Sequence, residues 1–123
     1  MKMSTALRNT RATAIGTEAG SGAKYKFYNG TESLTPAGTL LATLTVTGAF
    51  ATSTTGGAIN INETVTQSNA SHVTGTPTFV LITTSADVAV ATLTIPTDMT
   101  FTGTITNGVD VTFNTSTLTE GNV

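Results

Sequence analysis

From residue 24 onward this chain keeps returning to one local pattern, an apolar side chain followed by a polar one, and a two-residue period is that of a β-strand. Leu40, Ala42, Leu44 and Val46 alternate with Thr43, Thr45 and Thr47. Tyr25 and Phe27 alternate with Lys24, Lys26 and Tyr28 before Asn29-Gly30 turns the chain. The segment from Ala58 to Gln67 follows a Gly56-Gly57 turn and carries Ile59, Ile61 and Val65. Phe79 to Ile82 is apolar at every position, as a central strand covered on both faces would be. Val88 to Ile95 follows a turn at Ser85-Ala86-Asp87, and Pro96, which has no amide hydrogen for a ladder, ends it. Threonine, whose branched Cβ suits a pleated surface, makes up about a quarter of the chain.

The last hairpin allows a sharper expectation. Met99, Phe101 and Ile105 share one face, and Val109, Val111 and Phe113 form the apolar set after Asn107-Gly108. A two-residue Asn-Gly loop would set Ile105 opposite Asp110, core against solvent. A three-residue loop with Gly108 left-handed pairs Ile105 with Val109 and Phe101 with Phe113, so the pattern predicts the longer loop.

Seven such strands in 123 residues without cysteine predict an all-β chain with one core and no disulfide framework. The expected architecture is an antiparallel β-sandwich, and a jelly roll if an eighth strand lies within residues 31–38 or 115–120. Residues 3–15 predict a short amphipathic helix capped by Ser4 or Thr5. Met3, Leu7, Ala14 and Ile15 fall near one stripe, and Arg8 and Arg11 would present together on another side. Gly16 is the expected stop, and Thr17 to Ala23 a flexible hinge. The chain then divides into a basic helix and hinge over 1–22 and a β domain over 23–123.

Charge is sparse and segregated. All five basic residues, Lys2, Arg8, Arg11, Lys24 and Lys26, lie within the first 26 positions, where Glu18 leaves a net charge of +4; the remainder carries -6. Charged residues are 10% of the chain, against about 25% in ordinary soluble domains. Two readings fit: a neutral but hydrated surface, or a surface largely covered by neighbours in an assembly. The basic head can fold back on its own body, or grip another copy or an acidic scaffold. An overall charge of -2, and no aromatic residue before Tyr25 to stack on bases, disfavour direct nucleic-acid binding. No export signal or membrane span is expected, which places the product in the cytosol or in something assembled there.

Catalytic signatures fail on inspection. The stretch from Gly16 to Lys24 has Ala23 where a phosphate loop needs its Gly-Lys step, and it lacks the third glycine of a dinucleotide fold. His72 reads as a loop histidine without a nearby carboxylate, and the acids are too scattered for a cation loop. No metal or cofactor is expected. Asp98 and Asp110 would sit on adjacent strands, where paired acids could in principle serve glycoside hydrolysis, but strand-end acids in solvent are the better account.

Ala6-Leu7-Arg8-Asn9-Thr10-Arg11, the Gly-rich stretch, Lys24-Tyr25-Lys26-Phe27-Tyr28-Asn29-Gly30-Thr31, then Leu40-Leu41-Ala42-Thr43-Leu44-Thr45 with Phe50 and Gly56-Gly57, resemble a group of small virion proteins of tailed bacteriophages. The resemblance covers roughly the first half of the chain and implies a non-enzymatic particle component. Within that class, a capsid decoration or cement protein comes first: a body bound across capsid subunits, touching the major capsid protein, another virion protein or lattice neighbours of its own kind. A collar, tail or fibre component is the alternative, and a carbohydrate-binding module a further one. The residues expected at the contact are Lys2, Leu7, Arg8, Arg11, Lys24 and Lys26, with the arginines forming charge-assisted bonds.

Overall fold

Tyr25 and Phe27 are fully buried, while Lys24, Lys26 and Tyr28 between and beside them are half-buried on the opposite face. These five residues form β1 (Lys24–Tyr28), the central strand of a five-stranded antiparallel sheet in a computed structural model that describes residues 2–95, 97–101, 103–113 and 117–119. Its neighbours are β2 (Leu40–Val46) and β6 (Phe79–Thr83), which set Leu44 and Ile82 on either side of Tyr25. β5 (Val65–Gln67) and β7 (Ala89–Thr94) complete the order β5-β2-β1-β6-β7. A second, three-stranded sheet joins β3 (Ala51–Thr55), β4 (Ala58–Ile61) and β8 (Thr117–Thr119) in the order β3-β4-β8. One helix, α1 (Thr5–Ala19), precedes them all. The chain is therefore mostly β, with antiparallel sheets and one N-terminal helix.

One core serves both sheets. Tyr25, Phe27, Leu44, Val80, Ile82 and Leu93 of the larger sheet belong to the same buried cluster as Ile59 and Ile61 of the smaller. Aromatic contacts run through it: Phe27 stands between Phe101 and Phe113, with ring centroids 5.8 and 6.1 Å away, and Tyr25 reaches Phe50 at 5.8 Å. β6 is buried at all five positions, as its unbroken apolar run predicts. Residues Phe79 and Leu81 of β6 lie outside the main cluster, and Tyr28 stacks on Phe79 with an interplanar angle of 12°.

One expected strand divides in two. The segment 58–67 is two strands in two sheets, because the Asn62 side chain takes over backbone bonding at the break. Its Nδ2 donates to the carbonyls of Thr47 and Ala49 at 2.9 and 3.2 Å, and its Oδ1 accepts from the Thr64 amide at 2.9 Å. β3 was not legible, since Ala51-Thr52-Ser53-Thr54-Thr55 has no apolar alternation. An eighth strand does occur within 115–120, at Thr117–Thr119, while residues 31–38 hold none. The end of the β7 segment at Pro96 lies outside the described residues.

The last hairpin is the clearest correction. Residues 99–113 form no ladder with one another among the described residues. Gly108 is left-handed, with φ +83°, but the Val109 amide donates to the Thr106 carbonyl at 3.1 Å, a tight turn with Asn107 and Gly108 at its centre. The expected pairing of Ile105 with Val109 is therefore not formed. Ile105 pairs with Gly75 in an isolated bridge instead. Val109 is 56% exposed, whereas Ile105 and Val111 are buried. Side chains of residues 67–72 bind the backbone that a hairpin would have paired, as detailed below.

Candidate functional site

The N-terminal helix carries most of the residues expected at a contact, so its attachment decides what they can reach. Ser4 caps it as expected, its Oγ accepting from the Leu7 amide at 3.2 Å. The helix does not stop at Gly16 but runs on to Ala19, and its buried residues are Ala12, Gly16 and Ala19. The inward stripe is thus one of small residues. Leu7 and Ala14 face solvent, and Met3 and Ile15 are half-buried. Small residues admit close approach: Asn9 Oδ1 accepts from the Gly57 amide at 2.6 Å, and Thr13 donates to Thr54 Oγ1 at 3.2 Å. These contacts, with Gly16 over Ala51, fasten the helix along the β3–β4 hairpin. The head folds back on its own body.

The basic residues separate into three settings. Arg8 lies over the hairpin turn, with Nη1 donating to the Gly56 carbonyl at 3.4 Å and its Nε buried without an acceptor among the described residues. Arg11, exposed on the helix, brings Nη1 to 2.8 Å from the Met3 sulfur. Arg8 and Arg11 therefore do not present as a pair. Lys2, ahead of the helix, is exposed, and Leu7 on the helix is 47% exposed. Lys24 and Lys26 belong elsewhere: both bond Asp87 Oδ1, at 2.9 and 2.8 Å, from neighbouring positions on one face of β1.

That acceptor is positioned by local turn chemistry. The Thr84 hydroxyl accepts from the amides of Ala86 and Val88, both at 3.2 Å, which holds Asp87 at φ +66°. Hydrogen bonds from Lys26 and then Lys24 keep its carboxyl at about 2, below the usual 3.8. On the same sheet, Glu32 accepts from the hydroxyls of Thr92 (2.6 Å) and Thr94, which lowers its pKa. Two carboxylates thus occupy the threonine-rich outer face, each already hydrogen-bonded.

Asp98 and Asp110 take different hydrogen-bond partners. Asp98 Oδ2 accepts from the Thr94 amide at 2.9 Å, and Asp110 accepts from Asn69 Nδ2 at 2.8 Å. The adjacent strands that would have brought them together are absent among the described residues. His72 is in an irregular segment, as expected, but it is only 3% exposed. Its Nδ1 lies 3.1 Å from the Val109 carbonyl oxygen, and Nε2 is buried without a partner among the described residues. Sequence reasoning passed over this residue because nothing near it in the chain marks it; Asn69, Gln67 and Asn107, which build its surroundings, read as turn residues.

Comparison with known protein families, curated proteins and solved structures finds no match in any of the three. Among the described residues no group of three or more His, Cys, Asp or Glu side chains could hold a metal ion, and no helix is long and apolar enough to cross a membrane.

Proposed function

We propose that this chain is a non-enzymatic structural subunit of a tailed-bacteriophage virion, a capsid decoration or cement protein that binds across neighbouring capsid subunits. One observation carries the assembled-subunit reading. The strands at the edges of the two sheets are β5, β7, β3 and β8, and none of them contains a charged residue or a proline. Free monomers blunt such edges with lysine, proline or inward charge. Four neutral edges on a chain that is only 10% charged fit a protein whose edges are covered by neighbours. The particle class follows from the resemblance of the first half of the chain to small virion proteins, and the two antiparallel sheets around one core support a sandwich as the rigid body.

On this reading the contact is made by the outer side of the helix, through Lys2, Leu7 and Arg11, with Arg8 holding the helix to its hairpin. Lys24 and Lys26 contribute a second basic site, tempered by Asp87. Binding that recognises the assembled shell and not free subunits stabilises the shell by linkage.

The test uses the intact chain, because the helix is part of the core. Purified protein is added to particles lacking it, and occupancy and shell melting are measured. Saturation at one copy per capsid subunit or per subunit junction, with raised shell melting temperature, is expected. Leu7→Glu with Arg11→Glu is expected to weaken binding about tenfold, equivalent to about 1.4 kcal/mol, with an unchanged circular dichroism spectrum. A handful of copies confined to the collar or tail would move the assignment to those structures, and failure to bind any particle would overturn it.

A further inference from the structure

β7 is the last strand of the larger sheet, and its hydrogen bonds tell its two sides apart. The Ile95 amide, just past its end, donates to the Thr78 carbonyl at 3.0 Å and so faces β6. Thr94 faces the other way: its amide donates to Asp98 Oδ2 at 2.9 Å, and its carbonyl accepts from the amides of Asp98 and Met99 at 2.8 and 3.3 Å. Backbone direction alternates along a strand, so Thr92, two residues earlier, turns its amide and carbonyl to the same outer edge. The edge is closed at both ends, by the turn at Thr94 and by Val88, whose amide and carbonyl both bond Thr84. Between them no backbone bond reaches the strand from the described residues outside its ladder, and the stretch holds no charge and no proline.

The helix borders this edge. It packs on β7 as well as on the β3–β4 hairpin, and Asn9, Thr13 and Gly16 are the residues turned to the hairpin. Thr13 and Arg11 stand about 100° from the buried Ala12 in opposite directions around the helix. The flank that carries Arg11 therefore turns away from the hairpin, toward β7. Glu18 follows on the same flank, seven residues or two turns later, about 10.5 Å along the axis. Both side chains are exposed, and Glu18 makes no bond to another described residue. Between them lies Ala14, exposed and small enough to admit a neighbour closely.

These features select one occupant. A flank that reads basic and then acidic is complementary to itself when reversed, so an antiparallel copy brings each Arg11 to the partner's Glu18 and each Glu18 to the partner's Arg11. A uniformly acidic partner would attract Arg11 and repel Glu18. The strand asks for the same reversal: in an antiparallel β7–β7 pair, Thr92 and the partner's Thr92 exchange both main-chain bonds. One two-fold axis serves both layers, and it closes the assembly at two copies. An uncharged edge without proline is the kind that accepts such a strand.

We propose that this chain pairs with a second copy of itself, β7 edge to β7 edge with the helices antiparallel, Arg11 of each copy bonding the partner's Glu18. The inference goes beyond the particle reading, because the pair forms without a shell. It draws Arg11 into the seam and leaves Lys2 and Leu7 to the shell contact.

The test is sedimentation equilibrium of the full-length protein between about 1 μM and 1 mM. A reversible dimer of twice 12.5 kDa is expected, with Kd below about 100 μM. Glu18→Arg sets two arginines against each other and Arg11→Glu two glutamates, and each is expected to weaken the dimer at least about tenfold. Combining the two restores opposite charges, and the double variant is expected to return to within about threefold of the unaltered chain. Circular dichroism checks that each variant is folded. Hydrogen exchange at the Thr92 amide is expected to slow as concentration rises through Kd, and to stay fast in Glu18→Arg. A monomer at every concentration, an assembly larger than a dimer, a dimer indifferent to Glu18→Arg, or a Thr92 amide that does not respond to concentration overturns the proposal. Because particle binding is read separately, loss of either result leaves the other standing.

Discussion

Gly16 and Ala51 approach so closely that a Cβ built on the glycine would stand 2.6 Å from the Cβ of Ala51. A glycine inside a helix costs about 1 kcal/mol relative to alanine, so its presence there is explained by contact and not by helix termination. Gly16→Ala recovers that propensity but forces a methyl against another methyl rooted in the β3 backbone, an overpacking that costs about 1–3 kcal/mol. The net expectation is a loss of about 1 kcal/mol in urea unfolding. Adding Ala51→Gly removes the clash, so the double variant is expected to be more stable than Gly16→Ala alone. Additive losses from the two substitutions would show that the helix does not rest on β3 in this way.

Much of the larger sheet was legible because its signals are local. The alternation around Tyr25 and Phe27, the alternation of β2 and the apolar run of β6 each name their own burial. What failed depended on contacts distant in sequence. Leu7 and Ala14 look like the buried stripe of the helix, yet Ala12, Gly16 and Ala19 are chosen because the hairpin comes close. Phe101 and Phe113 were rightly assigned to the core, but Phe27 stands between them and they do not pair. Of the contact residues, Lys2, Leu7 and Arg11 are exposed. The attachment of Arg8 to Gly56 and of both lysines to Asp87 could not be read from spacing, since each partner lies 48 or more residues away.

Asp87 offers a direct electrostatic test. Its pKa is depressed, from 3.8 to about 2, by hydrogen bonds from Lys26 and Lys24. A depressed carboxyl contributes its stabilisation above the unfolded value and loses it as pH falls through the folded one, here between about 4 and 2. The group is exposed, so screening keeps its effect on global stability small, and the titration itself is the better measurement. Carboxyl NMR is expected to give a midpoint near 2 that rises toward 3.8 in a Lys24→Gln, Lys26→Gln variant. A midpoint unmoved by removing both ammonium groups would contradict this assignment.

Tyr25 works in the opposite direction. Burial first, and the Glu63 carboxylate second, raise its phenol well above the usual 10.0. Its hydroxyl donates to the Asn62 carbonyl at 3.0 Å. Below pH 10 the phenol is neutral in folded and unfolded chains alike; above it only the unfolded chain ionises, so stability is lost as pH rises. Tyr25→Phe is expected to cost about 1 kcal/mol near neutrality through the missing hydrogen bond. It is also expected to flatten the decline between pH 10 and 11, which urea midpoints across that range would reveal.

Gln67 and Val111 account for the missing hairpin and supply its test. The Gln67 amide grips both backbone groups of Val111: Nε2 donates to the carbonyl at 3.0 Å, and Oε1 accepts from the amide at 2.7 Å. Asn107 Nδ2 donates in the same manner to the carbonyls of Ala70 and His72, at 3.0 and 2.7 Å. Side chains from one segment thus satisfy the backbone of another, and residues 107–111 need no strand partner. Gln67→Glu preserves the shape but replaces the donor with an anionic oxygen facing the Val111 carbonyl. The expected loss is about 2 kcal/mol, smaller at pH values where the new carboxyl is protonated and can donate again. In Gln67→Leu, which also removes the acceptor of the Val111 amide, hydrogen exchange at Val111 is expected to accelerate at least about tenfold, while the amides of β1 keep most of their protection. A Val111 amide that stays protected in this variant would mean that residues 107–113 are held by pairing with another strand after all.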